Sequence, residues 1–381
     1  MKILICPDKF KECLTAANVA MHIRNGILEA NGEVECKIVP MADGGEGTVE
    51  AIVNATDGRI IHTQVHDPLM RPVNSFFGLS GDGKTAVIEM AAASGLALLK
   101  QDERNPLVTT TYGTGELIRF ALDEGCSEII LGIGGSATVD GGIGMAQALG
   151  ISFTDDTGWE IPPGGGRLGG IYKIDPRNMD PRIRHCKIHA ACDVNNPLTG
   201  PHGAANVFGP QKGAGPDEVR CLEDNMKHIA RVIRNELHVD VETLPGGGAA
   251  GGLGAGIVAF LGGELKPGFD LISHAVNLKE WVRWADLVIT GEGRMDFQTS
   301  FGKTPAGVAS MASGNRKPVV GFTGSVADDP DKFRQLGFAA VIPITDKPMT
   351  LEQSMGEAGK LLENAAERAF RLIELGRIFQ P

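Results

Sequence analysis

Apolar runs of strand length alternate with amphipathic stretches at the start of the chain. Lys2 to Pro7 reads as a strand, and Ala16 to Leu28 places Val19, Ile23 and Ile27 on one helical face. Thr15 stands where an N-cap hydroxyl belongs, and Asn31-Gly32 where a helix stops. Glu35 to Pro40 predicts a second strand, after which "MADGGEGTVEAIV" predicts a Gly-rich turn opening another helix. Strand, turn and helix repeated in this way predict a parallel α/β sheet. The same grammar returns late in the chain, with Trp284 to Thr290, Pro318 to Phe322 and Ala339 to Ile344 as strands and Glu352 to Leu375 as a long helical stretch.

Residues between these pieces follow a different spacing. The expected architecture is therefore a Rossmann-like doubly wound parallel-sheet domain of residues 1–65 and 285–381, interrupted by an inserted α/β domain of residues 66–284. A length of 381 residues agrees with two domains. The cleft of such an arrangement is the expected ligand site.

One motif in the inserted part invites a different reading. "GLSGDGKT", residues 78–85, fits the phosphate-loop pattern G-x-x-x-x-G-K-[ST]. That pattern holds a phosphate only when a strand enters it and a helix leaves it. Here Val73 to Leu79 and Thr85 to Met90 are both strand-like, so the segment predicts a β-hairpin with a Gly-rich tip.

Composition narrows the function. Hydrophobic content of 42% and charged content of 22% are those of a globular protein able to bury a large core. A net charge of -11 argues against nucleic-acid and anionic-membrane partners, which require a basic face. Seven scattered cysteines form no C-x-x-C pair, which fits the reducing cytoplasm, and no apolar run has membrane-spanning length. A homo-oligomer is compatible with all of this.

Phosphoryl transfer needs amide-lined loops, carboxylates for a metal, a base and cations. Asp8 and Lys11 lie in "PDKFK" after the first strand, where open α/β sheets bind ligands. "MADGGEGT" puts Asp43 and Glu46 around Gly44 and Gly45, as metal ligands or as helix caps. Gly134, Gly135 and Ser136 lie in "GIGGSATVDGG", an anion-holding loop that also matches G-x-G-x-x-[GA], with Asp155 near the offset of a ribose-binding acid. Asp193 closes an apolar run ahead of Asn195, and Lys212 follows in "GPQKG" as a charge clamp. "PGGGAAGGLGAG", residues 245–256, reads equally as a phosphate cradle or as a close-packing segment. Arg294, Asp296 and Lys303 crowd the loop after the strand ending at Thr290.

Taken in order, "PDKFKECL", "MADGGEGTVEA", "IEMAAASGL", "TTYGTGELI", "IGGSATVDGG", "ACDVNNPLTGPHGAA", "FGPQKGA", "GAAGGLGAG" and "TGEGRMDFQTSFGKTP" resemble the bacterial glycerate kinases of the first type. The resemblance covers essentially the whole chain. It implies an ATP- and Mg²⁺-dependent kinase that phosphorylates D-glycerate, typically at the 2-hydroxyl, and a Rossmann-like domain interrupted by a second α/β domain. Lys9 stands where family members commonly have Ser, and Val139 where Asn is usual.

The expected roles follow. Asp193, then Asp8, orients or deprotonates the hydroxyl. Lys11, Lys212, Arg294 and Lys303 hold the substrate carboxylate or the transferring phosphoryl group, with Gly44, Gly45, Gly134, Gly135, Ser136 and Asn195 around them. Asp43, Glu46 and Asp296 are the Mg²⁺ candidates. An NAD-dependent dehydrogenase of a small hydroxy acid, built on Gly132 to Ala137, and a non-catalytic sugar-acid sensor are the competing readings.

Overall fold

The computed structural model describes residues 1–295, 304–327 and 330–378. Two compact units are present, one built from Met1–Asp43 and Ile272–Pro381 and the other from Gly44–Leu271. The strands in chain order are β1 (Lys2–Ile5), β2 (Glu35–Ile38), β3 (Arg59–His66), β4 (Pro72–Leu79), β5 (Thr85–Glu89), β6 (Glu128–Gly132), β7 (Ser152–Thr154), β8 (Lys173–Asp175), β9 (Lys187–Ala191), β10 (Glu264–Lys266), β11 (Leu287–Met295), β12 (Val319–Val326) and β13 (Ala340–Pro343).

In the first unit the sheet order is β13-β12-β11-β1-β2, and every pair is parallel. Counted along the chain this is the order 2-1-3-4-5 of a doubly wound sheet, whose reversal lies between β1 and β11. Both faces of β1 are covered, because Ile3 and Ile5 enter a core with Val19, Ile23, Leu361 and Phe370 while Leu4 is buried on the opposite face. The helix Ala16–Ala30 begins where its cap predicts, with the Thr15 hydroxyl accepting from the Asn18 amide at 3.2 Å and Asn31 at the C-cap. Gly26 lets this helix meet the helix Ala358–Ile378, since a Cβ there would lie 2.1 Å from the Glu363 carbonyl oxygen.

The second unit is α/β with a mixed sheet, β10-β9-β6-β5-β4-β3. The pairs from β5 to β10 are parallel, whereas β3, β4 and β5 form an antiparallel meander. The small pair β7-β8 stands apart. The sequence grouped residues 44–65 with the first domain and 272–284 with the inserted one, whereas the observed units divide at Asp43-Gly44 and at Leu271-Ile272. The reason lies in β3, which pairs with β4 along its whole length from Arg59↔Leu79 to His66↔Pro72 and so belongs to the second sheet. The helix Thr48–Ala55, which precedes β3, belongs with it, since Val49 and Val53 pack against Gly78.

"GLSGDGKT" is the β4-β5 hairpin. Gly78 pairs with Val87 and Leu79 with Ala86, and Gly83 at the tip takes a positive φ of 70°. A strand leaves the loop, so its amides form no helix-terminal phosphate cradle.

Candidate functional site

The first unit gathers two strand-end turns and the strand β11 at its topological switch point. The Asp8 amide donates to the Gly291 carbonyl oxygen at 2.8 Å, and the Met41 amide to that of Pro7 at 2.9 Å, which sets the turns after β1 and β2 side by side and next to the strand β11. Gly293 sits against Phe10 and the Lys11 amide, where an added Cβ would lie 3.4 to 3.7 Å away. Asp8, only 8% exposed, accepts from the Lys9 amide at 2.7 Å. Burial and the nearby Asp43 carboxylate push its pKa up to about 6, against the opposing pull of the Lys9 amide and of Thr304. The buried Thr304 hydroxyl lies close enough to Asp8 to favour its carboxylate, and it makes no hydrogen bond of full geometry among the described residues. Lys11 is exposed on the turn after β1, and Arg294 is exposed near the end of β11. Asp296 and Lys303 lie outside the described residues.

Two neighbouring carboxylates and a hydroxyl beside them are hard oxygen ligands of the kind Mg²⁺ takes. No group of three or more His, Cys, Asp or Glu side chains suited to a metal occurs among the described residues. A Mg²⁺ ion here would therefore complete its shell with water and substrate phosphates, its usual mode in kinases.

The second unit brings together turns at the carboxyl ends of β5, β6 and β9. Gly44, with φ of 89°, packs so tightly on Ala191 that an added Cβ would lie 2.3 Å from the alanine's. Gly132 meets the Gly44 carbonyl oxygen in the same way, at 2.4 Å, and Gly134 faces Gly45. Glu89, a carboxylate closing the buried strand β5, accepts from the amides of Gly47 at 3.0 Å and Val49 at 2.9 Å. It thereby fills the N-terminus of the helix Thr48–Ala55, a capping role that the sequence reading offered to Asp43 and Glu46. The signal was present in "TAVIEM": a lone charge ending an apolar strand marks either a buried partner or a site.

Beyond β6 the chain loops from Ile133 to Gly142 before the helix Ile143–Ala148 begins. A dinucleotide fingerprint would open its helix at the glycines, and Asp155 instead closes a surface turn by accepting from the Thr157 and Trp159 amides. Asp140, fully buried, accepts from the Thr111 amide at 2.7 Å, the Thr111 hydroxyl at 2.9 Å, the Thr110 hydroxyl at 3.2 Å, and the amides of Gly142 and Gly144. Burial pushes its carboxyl up while these donors hold it down. Gly134 and Gly135 are exposed at the loop's tip, with Ser136 buried behind them.

Lys212 is 2% exposed and points beneath this loop. Its ammonium donates to the Ser136 hydroxyl and to the Thr138 carbonyl oxygen, each at 2.7 Å. The segment 245–256 is a packing element: Ala250, Gly251 and Gly252 all have positive φ, and a Cβ on Gly251 would fall 1.9 Å from the Thr138 carbonyl oxygen. Asp193 is exposed and accepts from the Gly268 amide at 2.8 Å, at the start of the helix Gly268–Ala275. Asn195 is exposed in the same loop, which is stitched by Asn196 donating to the His202 carbonyl oxygen and by the Gly200 amide donating to Glu223. Glu46 is exposed.

Comparison with known proteins identifies relatives along the whole chain. Residues 3–374 match the glycerate kinase family. A glycerate 2-kinase of Escherichia coli K12 is 51% identical over 354 residues, covering 93% of each chain, and a glycerate kinase of Bacillus subtilis 168 is 49% identical over 377 residues, covering 99% of each. A crystal structure from Salmonella typhimurium LT2, described as a candidate glycerate kinase 2, superposes with a TM-score of 0.91 at 47% identity over 100% of both chains. Full-length agreement in sequence and in fold leads to one conclusion: the chain belongs to the glycerate kinase family.

Proposed function

We propose that this protein transfers the γ-phosphoryl group of ATP to the 2-hydroxyl of D-glycerate, giving ADP and 2-phosphoglycerate. What supports the reading most is the 51% identity to a glycerate 2-kinase across 93% of both chains. Asp8 is the proposed base, because it is the buried carboxylate at the switch point of the doubly wound sheet. Its carboxylate takes the hydroxyl proton as the substrate oxygen bonds to the γ-phosphorus and the bond from that phosphorus to the ADP oxygen breaks. Asp193 is the second choice, since its Oδ1 already holds a helix terminus.

Mg²⁺, when bound, neutralises charge on the β- and γ-phosphates. Asp43 is its first proposed ligand, with Glu46 and Asp296 as further ones. Gly44, Gly45, Gly134, Gly135 and Asn195 are assigned to the phosphates and substrate hydroxyls, with Ser136 supporting its loop from behind, and Lys11, Arg294 and Lys303 to the anionic groups. A variant in either loop cluster is expected to depress kinase turnover. Seven free cysteines accord with a reducing cytoplasm.

The deciding measurement is a phosphorus NMR spectrum of the product formed from ATP, Mg²⁺ and D-glycerate. A 2-phosphate couples to one carbon-bound proton and gives a doublet. A triplet would move the phosphate to the 3-hydroxyl, and absence of any ester would end the kinase reading.

A further inference from the structure

Among the described residues Lys212 is the one lysine buried as deeply as the hydrophobic core. Sequence reasoning made it a clamp on the substrate, yet its ammonium is spent inside the protein. It closes the turn Pro210–Lys212, and the following Gly213, with φ of 100°, seats that turn against Arg104, where a Cβ would lie 2.2 Å from the carbonyl oxygen. From there the side chain reaches Ser136 and Thr138, residues 76 and 74 positions earlier in the chain. Burial pushes its amine down to about 7, and the neighbouring Asp140 carboxylate pulls in the opposite direction.

The loop held in this way has two faces. Its inner face carries Ser136, Thr138 and Asp140, all buried. Its outer face is the exposed Gly134-Gly135 turn, whose two amides donate no hydrogen bond among the described residues. The C-terminal side of the turn is tied to residues 94–96: the Leu96 amide donates to the Gly135 carbonyl oxygen, and the Ala137 amide to that of Ser94, both at 2.9 Å. Successive unpaired amides on a rigid turn are the means by which backbone binds an anion. Rigidity there has to come from below.

We propose that Lys212 is a positioning residue, which pins the Ser136–Thr138 segment from inside so that the Gly134 and Gly135 amides stay presented to an anionic phosphate group, and that it does not touch the anion itself. This rests on the assignment of that turn to phosphate binding above. Binding strength then depends on Lys212 through the order of the loop, and a direct clamp would leave the free loop unchanged when removed.

The test is amide hydrogen exchange on the full-length protein without ligand, comparing wild type with Lys212→Met, together with the affinity of each for inorganic tripolyphosphate by calorimetry. The expected result is exchange at least tenfold faster at the Leu96 and Ala137 amides, unchanged protection in β6 from Ile129 to Leu131, and a dissociation constant raised about tenfold. Unchanged protection at Leu96 and Ala137 would overturn the proposal, whatever happens to the affinity. Should Lys212→Met fail to fold, Ser136→Ala removes one of the two acceptors and keeps the lysine. Faster exchange at the same two amides is expected there, and wild-type protection would again overturn it. None of these readouts depends on turnover, so a failed kinase assay and a failed loop measurement are separate outcomes.

Discussion

Asp8 combines burial with a like-charged neighbour, and both effects make the protonated form easier to hold in the native chain than in the unfolded one. Its pKa is about 6 when folded against 3.8 as the unperturbed value. The folded state therefore binds this proton more tightly. The stabilisation is fully present below the unfolded value and is lost as pH rises through 6. Asp8→Asn lacks that titration. In metal-free buffer its urea stability should gain on wild type by up to roughly 3 kcal/mol between pH 4 and pH 7. A pH-independent difference would show an unshifted carboxyl. As the base, Asp8 also predicts a loss of turnover below pH 6 and a fall in kcat of about 100-fold or more in Asp8→Asn, with little change in ATP affinity. Asp193→Asn run in parallel decides between the two aspartates: near-native turnover removes Asp193 from the chemistry. Asp8 was legible in the sequence because the end of an apolar strand in an α/β pattern is where ligands bind. Glu89 was not singled out, since its role depends on which helix β5 faces, a fact of tertiary packing.

At the level of elements, glycine spacing decides how closely the strand-end turns approach. Gly44 has both a left-handed backbone and no room for a methyl group. Gly44→Ala should cost about 2–4 kcal/mol, combining left-handed strain with overpacking. Adding Ala191→Gly should recover the overpacking part alone, and full recovery of the chemical-denaturation midpoint would show that φ carries no cost. The β4-β5 hairpin makes the opposite prediction. Lys84, exposed at its tip, is not a phosphate ligand, so Lys84→Ala should leave the KM for ATP within about twofold of wild type, whereas a P-loop lysine would be indispensable. The hairpin was legible because turn chemistry and β-branching are local. The helix Pro216–Leu237 and the pairing partner of β3 were not, because "RIIHTQVH" suits either sheet and only its register with β4 settles the matter.

For the whole molecule, the sequence grammar of strand-turn-helix at both ends was sufficient to place β1, β2 and β11 to β13 in one parallel sheet. Unit boundaries were less legible, because composition barely changes at Asp43-Gly44. The second unit owns a complete sheet and a core running from Val65 to Leu261. Residues 44–271 expressed alone should therefore unfold cooperatively in urea with native-like near-ultraviolet circular dichroism. A non-cooperative transition would mean that this sheet needs the rest of the chain.

The pairing of β1 with β11 also governs the order of events during synthesis. Ile5 lies beside Ile289, so a strand made at the outset finds its central neighbour only after some 284 further residues have been added. At ribosomal speed this is a wait of roughly 15–60 s. Throughout it the β11-facing edge of "KILIC" stays unpaired, although β2 on its other side is made early, and the segment from Gly44 onward has time to fold first. Nascent-chain chaperones should therefore engage the amino-terminal strand for longer than any other part of this protein.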